Sequence, residues 1–260
     1  MKSSKIILNI ENLWFKYPAG FEIREINFKV VEGTFNCLIG PNGSGKTTLL
    51  KLLGGILIPA RGKIKINGKD LSSLSLKQKA HQLAYIPQFF QSNLPFTVEQ
   101  IISMGRYPHL RGWGFLDKQD HHIIFQNMEL LKITHLLGRY FNSLSGGEKQ
   151  KVLIATALTQ CSNLLLLDEP ASSLDIHFRN EIYSILKDLT GHNSTVVMVS
   201  HDLSLASLYS DKLILLDQGR LSAQGSSSQV IDQENLVKVF NRGFKIIWSE
   251  QKPLVIPQKI

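Results

Sequence analysis

Apolar and polar residues alternate in two stretches at the start of the chain. The alternation covers 6–13 and 21–31, and Pro18 to Gly20 lie between the two stretches. A period of two residues is typical of strands with one buried face, and proline and glycine favour the turn that joins them. The pattern therefore predicts a small antiparallel β layer that opens the chain.

Further along, short apolar runs of strand length alternate with helix-forming stretches. The apolar runs are 35–39, 164–167, 195–199 and 213–216, and the helix-forming stretches are 47–53 and 178–189. Strands that alternate with helices indicate right-handed crossovers and a parallel sheet. The predicted fold class is α/β, with a mostly parallel sheet flanked by helices behind the N-terminal antiparallel layer.

The pattern changes over residues 89–150. Thr97 and Gln100 have the spacing of a capping box, and Ile101, Ile102 and Met104 recur at helical spacing. A helical subdomain inserted at 89–150 explains this change. Because 260 residues suit one sizeable domain, we expect residues 1–260 to form a single domain that contains the insert.

Composition limits the class of protein, its compartment and its partners. Hydrophobic residues make up 43% of the chain and charged residues 19%, so a packed core is expected. No apolar run approaches the roughly 20 residues that span a bilayer. The apolar run near the N-terminus is too short for a secretory signal. The net charge is +8, but the basic residues are scattered. We therefore expect a cytosolic chain without a nucleic-acid partner.

The two cysteines indicate no metal or redox motif. Cys37 and Cys161 each lie beside an apolar, strand-like segment, and their spacing matches no ligand pattern. We expect both to be buried, reduced thiols.

A glycine-rich segment follows the apolar run 35–39. Residues 40–47 read Gly-Pro-Asn-Gly-Ser-Gly-Lys-Thr and fit the phosphate-binding pattern G-x-x-x-x-G-K-[ST] at each position. The glycines allow successive N–H groups to face an anion, and the helix that follows adds its positive N-terminal end. Lys46 is predicted to neutralise the β- and γ-phosphates, and the Thr47 hydroxyl is predicted to bind Mg²⁺.

Two carboxylates end the apolar run 164–167. Asp168 and Glu169 follow four leucines and precede Pro170. The carboxyl end of a buried strand is where α/β sheets bind their ligands. Asp168 is predicted to hold Mg²⁺, directly or through water, and Glu169 is predicted to accept a proton from attacking water. Alone, this pattern is also typical of a solvated strand end.

A second glycine turn occurs at Ser145-Gly146-Gly147-Glu148. Ser145 and Glu148 have the spacing of a capping box, so this turn opens a helix and forms another anion site. One nucleotide hardly needs two such sites in one subunit. We therefore expect this turn to serve a nucleotide held by a second copy of the chain, although an ordinary capped helix would have the same sequence.

These motifs, in this order, resemble the nucleotide-binding subunit of ATP-binding cassette (ABC) transporters over nearly the whole chain. The resemblance implies a P-loop ATPase core and two ATP molecules sandwiched between two subunits. It implies Mg²⁺ as cofactor, integral membrane permease subunits as partners, and an indirect partnership with a substrate-binding protein. The implied location is the cytoplasmic face of the plasma (inner) membrane, as a peripheral subunit.

The resemblance also assigns roles to individual residues. Tyr17 corresponds to the aromatic residue that stacks on adenine, Gln88 to the glutamine that reaches Mg²⁺ and signals to the permease, and His201 to the histidine at the γ-phosphate. Asp175, in Ser173-Leu174-Asp175, corresponds to the segment that crosses the dimer interface. The implied ATP-binding residues of the first glycine-rich segment are Gly40, Pro41, Asn42, Gly43, Ser44, Gly45, Lys46, Thr47 and Thr48. Ser145, Gly146, Gly147 and Glu148 are implied to bind the partner's ATP.

The stretch Met104-Gly105-Arg106-Tyr107-Pro108-His109 resembles a Gly-Arg-x-Pro-His sequence in subunits that power import of iron-siderophore complexes, haem and cobalamin. The end of the chain, Pro253 to Pro257, resembles their final strand. An alternative interpretation of the first stretch is a helix that ends at Pro108 and continues as a basic, solvated loop.

Three other functions share some of these motifs. A soluble cassette ATPase of a cytosolic assembly machine, such as iron-sulfur assembly, would have the same nucleotide motifs. A DNA-maintenance ATPase usually carries a long coiled coil between these motifs, whereas Lys46 and Ser145 lie only 99 positions apart in this chain. A binding-only regulator would not need Lys46, Asp168, Glu169 and His201 together.

Overall fold

The computed structural model describes residues 5–88, 95–110, 114–172, 174–191 and 194–258. Its strands are β1 (Ile6–Lys16), β2 (Glu22–Val31), β3 (Phe35–Ile39), β4 (Arg61–Ile66), β5 (Lys69–Asp70), β6 (Leu83–Ile86), β7 (Leu164–Asp168), β8 (Thr195–Val199), β9 (Lys212–Asp217), β10 (Arg220–Gly225), β11 (Phe244–Ser249) and β12 (Lys252–Pro257). Its helices are α1 (Lys46–Leu53), α2 (Leu76–Gln82), α3 (Val98–Ser103), α4 (Lys118–Leu130), α5 (Gly146–Thr159), α6 (Ile176–Gly191), α7 (Leu203–Tyr209), α8 (Ser227–Val230) and α9 (Gln233–Phe240). Within these ranges, no helix combines the length and apolar character needed to cross a membrane.

The antiparallel layer forms where the alternating pattern predicts it. β1 pairs antiparallel with β2 and β4, and the strand order is β2-β1-β4-β5. Along β2, Ile23, Ile26, Phe28 and Val30 are buried, whereas the polar residues between them are mostly exposed. One face of this layer therefore packs on the rest of the molecule, and the other faces solvent.

The central sheet has the order β10-β9-β3-β8-β7-β6. The pairings of β3 with β8 and β9, and of β7 with β8 and β6, are parallel, and β10 lies antiparallel at one edge. Every residue of β3, β7 and β8 is buried. Apolar runs without alternation suit such strands because both faces are covered. The prediction of a mostly parallel α/β sheet is confirmed.

The described part of the insert between β6 and β7 contains helices α3, α4 and α5, with an isolated β-bridge between Thr97 and Tyr140. Thr97 caps α3 together with Gln100, and Ser145 caps α5 together with Glu148, so both predicted capping boxes are present. Residues 89–94 and 111–113 of the predicted insert lie outside the described ranges. α5 continues to Thr159, past the predicted boundary at residue 150. The bounds 89–150 stay a prediction.

Arg106 is a buried residue that joins three parts of the insert. Its Nε donates to Asp120 Oδ1 at 2.7 Å, and its Nη1 donates to the main-chain oxygen of Thr159 at 2.9 Å. The Arg106 side chain is only 8% exposed. The guanidinium group is therefore paired inside the insert. Residues 111–113, in the loop that the alternative interpretation places after Pro108, lie outside the described ranges, so that interpretation stays untested.

The end of α5 is attached to the core. Gln160 follows α5, and its Nε2 donates to the main-chain oxygens of Ala80 at 2.6 Å and Leu83 at 2.7 Å. These oxygens belong to the end of α2 and the start of β6. The chain is thus held at this point before it enters β7.

The C-terminal strands β11 and β12 form a separate antiparallel hairpin. The Ser204 Oγ of α7 donates to the main-chain oxygen of Val255 at 3.1 Å and accepts from its N–H at 3.0 Å. The predicted final strand is present, and this pair of hydrogen bonds attaches it to the core.

The two cysteines differ in their exposure to solvent. Cys37 is buried in β3, as predicted, and burial raises the pKa of its thiol. Cys161 is exposed, so the prediction that it is buried is wrong. Its backbone has a φ of 54° in the turn between α5 and β7. The residue therefore precedes the buried strand instead of belonging to it.

Replacing Gly105 by alanine should destabilise the insert. A Cβ at Gly105 would lie 2.3 Å from the main-chain oxygen of Thr156, which is on α5. Because a backbone atom cannot move aside cheaply, we expect Gly105→Ala to lower the free energy of unfolding by about 1–3 kcal/mol in urea denaturation. Gly191→Ala is the matched control, since no atom lies within 4 Å of its added Cβ. Equal stability of the two variants would contradict the close packing of Gly105 on α5.

Candidate functional site

The glycine-rich segment 40–47 links β3 to α1 at the carboxyl end of the central sheet. Gly40 has a φ of 145°, and a Cβ there would lie 2.2 Å from the main-chain oxygen of Leu216. Gly45 has a φ of 101°, and its Cβ would approach the side chains of Ile23 and Phe21 within 2.8 Å. Both positions need glycine because of their backbone conformation and their close neighbours.

Lys46 begins α1 and lies against the loop that precedes it. Its Nζ donates to the main-chain oxygens of Gly40 at 2.9 Å and Pro41 at 2.8 Å. The residue is 5% exposed. Burial lowers the pKa of Lys46, and the carboxylates of Glu169 and Asp168 oppose this shift. The ammonium group therefore lies in the site together with two acidic groups.

Asp168 ends β7 and is 2% exposed. Thr47 Oγ1 donates to its Oδ1 at 2.9 Å, and the Tyr85 hydroxyl donates to its Oδ2 at 3.4 Å. Burial raises the pKa of Asp168, and the hydrogen bond from Thr47 opposes that shift. Thr47 and Asp168, which were predicted to share one metal, are in direct contact.

Tyr85 is a site residue that the sequence analysis missed. It lies in β6 between the buried residues Ala84 and Ile86, and β6 pairs in parallel with β7. Burial raises the pKa of Tyr85, so its hydroxyl keeps the proton that it donates to Asp168. An aromatic residue inside a short apolar strand is typical of the core. Its contact with Asp168 follows from the strand pairing, which the sequence pattern does not reveal.

Glu169 connects Gln88 to His201. Its Oε2 accepts from Gln88 Nε2 at 2.8 Å, and its Oε1 contacts His201 Nε2 in a short hydrogen bond. Glu169 has a φ of 49°, an unusual backbone conformation for a residue other than glycine. Such conformations cost free energy and cluster at functional sites. The sharp turn after β7 brings the carboxylate between the two partner side chains.

A cavity of about 340 Å³ joins the predicted nucleotide-binding residues. Its walls include Tyr17 on one side and Glu169 and His201 on another. The remaining lining residues are Phe21, Asn42, Gly43, Gly45, Lys46, Thr47 and Thr48. The Tyr17 ring stands edge-on to Phe15, with 4.8 Å between their centroids. Phe21, which also contacts Gly45, is a second wall residue that the sequence analysis missed.

The second glycine turn lies on another part of the surface. Ser145 Oγ accepts from the N–H of Glu148 at 3.3 Å, and Glu148 Oε2 accepts from the N–H of Ser145 at 2.8 Å. A Cβ at Gly147 would lie 2.9 Å from the Phe178 ring of α6. Among the residues that the structure describes, none of the four from Ser145 to Glu148 lines the 340 Å³ cavity.

Asp175 lies beside this second turn, at the start of α6. Its Oδ1 accepts from the N–H groups of His177 and Phe178, each at 3.0 Å, and so caps the helix. α5 and α6 also contact each other through Lys151 Nζ and Glu181 Oε1 at 2.7 Å. Ser173, of the predicted interface segment, lies outside the described residues. The predicted residues thus fall into two groups, one around the cavity and one on an exposed surface.

Comparison with known proteins assigns the family. The sequence profile of the family described as ABC transporter matches residues 23–172. The petrobactin import ATP-binding protein FpuC of Bacillus anthracis is 34% identical over 98% of this chain and 94% of its own length. The iron(3+)-hydroxamate import ATP-binding protein FhuC of Bacillus subtilis is 35% identical over 92% of this chain and 90% of its own length.

Solved structures agree in fold. A chain from a metal-chelate type ABC transporter in an inward-facing conformation has a TM-score of 0.87 and 32% identity, with 98% of each chain covered. The dimeric bacterial ABC transporter cassette MJ0796 has a TM-score of 0.76 and 25% identity, with 85% of this chain and 98% of that chain covered. This chain therefore belongs to the ABC transporter family, in which it is an ATP-binding and ATP-hydrolysing subunit.

Proposed function

We propose that two copies of this chain bind two ATP molecules between them and hydrolyse them to power import through a membrane permease. The observation that supports this proposal is the separation of the two glycine turns. One turn lines the cavity, while the other caps an exposed helix end. In a two-fold symmetric dimer, the exposed turn of each copy faces the cavity of its partner. Each nucleotide then receives N–H groups from both subunits.

The cavity residues divide the binding of ATP among them. Tyr17 stacks on the adenine ring, and the N–H groups of residues 40–48 other than Pro41 bind the phosphates at the start of α1. Lys46 Nζ already lies over this loop through its bonds to Gly40 and Pro41. It needs only a change of acceptor to reach the β- and γ-phosphates. Ser145, Gly146, Gly147, Glu148 and Asp175 complete the site from the partner.

The oxygen atoms near Asp168 suit Mg²⁺. Thr47 and Asp168 supply a hydroxyl and a carboxylate, which are hard ligands. Gln88 bonds to Glu169 through Nε2 and not through its amide oxygen, so this oxygen is the atom of Gln88 that would bind the metal. No group of three His, Cys, Asp or Glu side chains that could hold a metal occurs within the described ranges. Mg²⁺ is commonly held by one or two carboxylates together with substrate phosphates. When bound, Mg²⁺ neutralises charge on the β- and γ-phosphates.

Glu169 and His201 carry the hydrolytic step. Water attacks the γ-phosphorus, Glu169 accepts a proton from it, and the bond between the γ-phosphorus and the bridging oxygen breaks to release ADP and phosphate. The contact between Glu169 Oε1 and His201 Nε2 orients both side chains toward the cavity that they line. Lys46 and His201 stabilise the negative charge that spreads over the transferred group.

The cargo that we propose is an iron-siderophore complex, haem or cobalamin. Relatives named for import of petrobactin and iron(3+)-hydroxamate, and a structural neighbour named as a metal-chelate type transporter, support this class. The import names favour transport over the alternative of a cytosolic assembly ATPase. We further propose that the chain binds permease subunits at the cytoplasmic face of the plasma (inner) membrane. A substrate-binding protein would deliver the cargo to the permease, and no nucleic acid takes part.

The Mg²⁺ assignment predicts different behaviour for two substitutions of Thr47. Thr47→Val removes the hydroxyl that contacts Asp168, whereas Thr47→Ser keeps it. We expect added Mg²⁺ to tighten ATP binding in the parent and in Thr47→Ser, and to have little effect in Thr47→Val. Fluorescence titration with a labelled ATP, with and without Mg²⁺, measures this difference. Equal Mg²⁺ dependence in all three proteins would contradict a role for Thr47.

Without nucleotide, the same pair should differ in stability. Burial raises the pKa of Asp168, so the charged carboxylate destabilises the fold above that pKa. Loss of the Thr47 hydroxyl increases this cost by about 1–3 kcal/mol at pH 7. The stability difference between Thr47→Val and Thr47→Ser should shrink as the pH falls through the folded-state pKa of Asp168. Urea denaturation over a pH series measures this stability difference. A difference that does not change with pH would contradict the stabilisation of the charged Asp168 by the Thr47 hydroxyl.

The dimer proposal is tested in a protein that cannot cleave ATP. We expect Glu169→Gln to bind Mg-ATP, to lose hydrolysis and to form a dimer in light scattering. Gly146→Asp, added to Glu169→Gln, should keep the protein monomeric, because its carboxylate faces the partner's phosphates. A Cβ at Gly146 makes only an ordinary contact, 3.5 Å from Leu174, and an acidic residue at a helix start is favourable.

Gly146→Asn in the same background is the uncharged control and should still dimerise. A dimer that persists with Gly146→Asp would rule out this turn as the second phosphate site. Parental hydrolysis by Glu169→Gln would show that the general base is a different residue.

The cargo class is tested by uptake in the native cells. Deletion of the gene should abolish uptake of one of three labelled cargoes, namely an iron-siderophore complex, haem or cobalamin. The parental gene should restore uptake, and the gene with Glu169→Gln should not. Unchanged uptake of all three cargoes in the deletion strain would refute the proposed cargo class.

A further inference from the structure

The loop that carries His201 borders a second cavity, of about 500 Å³. Residues of the loop line this cavity together with Phe240, Phe244 and Val255 from the C-terminal part of the chain, and Arg179 and Tyr183 of α6 line it as well. Because side chains do not fill this space, polar contacts contribute to the position of the loop.

Two residues of α6 supply such contacts, one on each side of His201. The Tyr183 hydroxyl contacts Ser200 Oγ in a short, buried hydrogen bond. Arg179 Nη1 pairs with Asp202 Oδ2 at 3.5 Å. Arg179 and Tyr183 are four residues apart on α6, so they lie on the same face of the helix. Ser200 and Asp202 are the immediate neighbours of His201 in the chain.

Bonds within the loop carry these contacts to the backbone around His201. The Asp202 N–H donates to Ser200 Oγ at 3.0 Å, and this hydroxyl donates to the Asp202 main-chain oxygen at 3.3 Å. Asp202 Oδ1 accepts from the N–H of Leu205 at 2.9 Å and so caps α7. The side chains on both sides of His201 therefore have defined positions.

The partners on α6 are themselves well placed. Tyr183 is 2% exposed, and burial raises its pKa well above the usual value, so its hydroxyl keeps a proton that it can donate to Ser200. Arg179 Nη2 also donates to the main-chain oxygen of Leu174 at 3.0 Å, which orients the guanidinium group toward Asp202. The arginine side chain is 32% exposed. We therefore expect its pairing with Asp202 to fix geometry more than to add stability.

We propose that Arg179 and Tyr183 are positioning residues that hold His201 in line with Glu169 and the nucleotide cavity. This inference rests on the proposed role of His201 in hydrolysis. Neither residue lines the 340 Å³ cavity. Each acts through one neighbour of His201, and together they prevent the loop from shifting into the 500 Å³ cavity behind it. A small displacement of a catalytic group costs much of the rate while binding of the substrate elsewhere is unchanged.

Two conservative substitutions remove the contacts one at a time. Tyr183→Phe deletes the hydroxyl but keeps the ring, whose centroid lies 6.2 Å from that of Phe35 and 5.7 Å from that of Tyr209. Asp202→Asn keeps an oxygen that can cap α7, while the new amide group cannot accept from Arg179 in place of Oδ2. The matched control is Tyr209→Phe, which deletes another hydrogen bond of α7 to α6, from the Tyr209 hydroxyl to Asn180 Oδ1 at 2.8 Å.

Steady-state ATP hydrolysis by the purified full-length chain, together with titration of a labelled ATP, tests the proposal. We expect Tyr183→Phe and Asp202→Asn each to lower kcat roughly tenfold, with ATP affinity within about twofold of the parent. Tyr209→Phe should keep the parental kcat. Arg179→Met combined with Asp202→Asn should be no slower than Asp202→Asn alone, because the two residues act through one contact.

The outcomes separate this inference from the proposed function. If His201→Ala hydrolyses ATP at the parental rate, the role assigned to His201 is wrong. If His201→Ala is inactive while Tyr183→Phe and Asp202→Asn keep the parental kcat, only the positioning role is overturned. Equal losses of kcat and ATP affinity would also overturn it, since they would indicate general damage to the fold.

Discussion

The parallel pairing of β3, β7 and β8 is the constraint on which the site depends. In this register Leu38 lies opposite Val199, and Val199 lies opposite Asp168, so the three strands end at the same edge of the sheet. The segments that follow them carry the phosphate loop, Glu169 and His201. Residues that are far apart in the sequence become neighbours because this register, which depends on the side-chain pattern and the connections between strands, places the strand ends side by side.

Two charged side chains at this edge of the sheet are buried, and the burial of a charge costs free energy. Lys46 and Asp168 are both nearly inaccessible to solvent, and each has polar partners in place. A buried charge without such partners would shift its pKa until it became neutral. The main-chain oxygens of Gly40 and Pro41 and the Thr47 hydroxyl therefore stabilise these buried charges as well as contributing to a binding site. The dense polar network also explains why Glu169 can be kept in an unfavourable backbone conformation.

Much of this arrangement could be predicted from sequence because it depends on local spacing. The glycine-rich segment, the carboxylates after four leucines and both capping boxes are each read from a few consecutive residues. Contacts between distant segments could not be read in this way. Tyr85 follows the same pattern as a core residue, and Arg179 and Tyr183 have the helical spacing of any half-buried pair. Cys161 was predicted to be buried because an apolar run begins three residues later, at Leu164, but it lies in the exposed turn before that strand.

α5 runs from the exposed second glycine turn to a point where the chain is bonded to the core. Its 14 residues form a rod of about 21 Å that begins at the exposed Ser145 turn. Its far end is anchored by Gln160 to main-chain oxygens at the end of α2 and the start of β6, and a short turn then leads into β7. We expect a displacement of the exposed turn to move Gln160 and with it the start of β6, which pairs with the strand that carries Asp168.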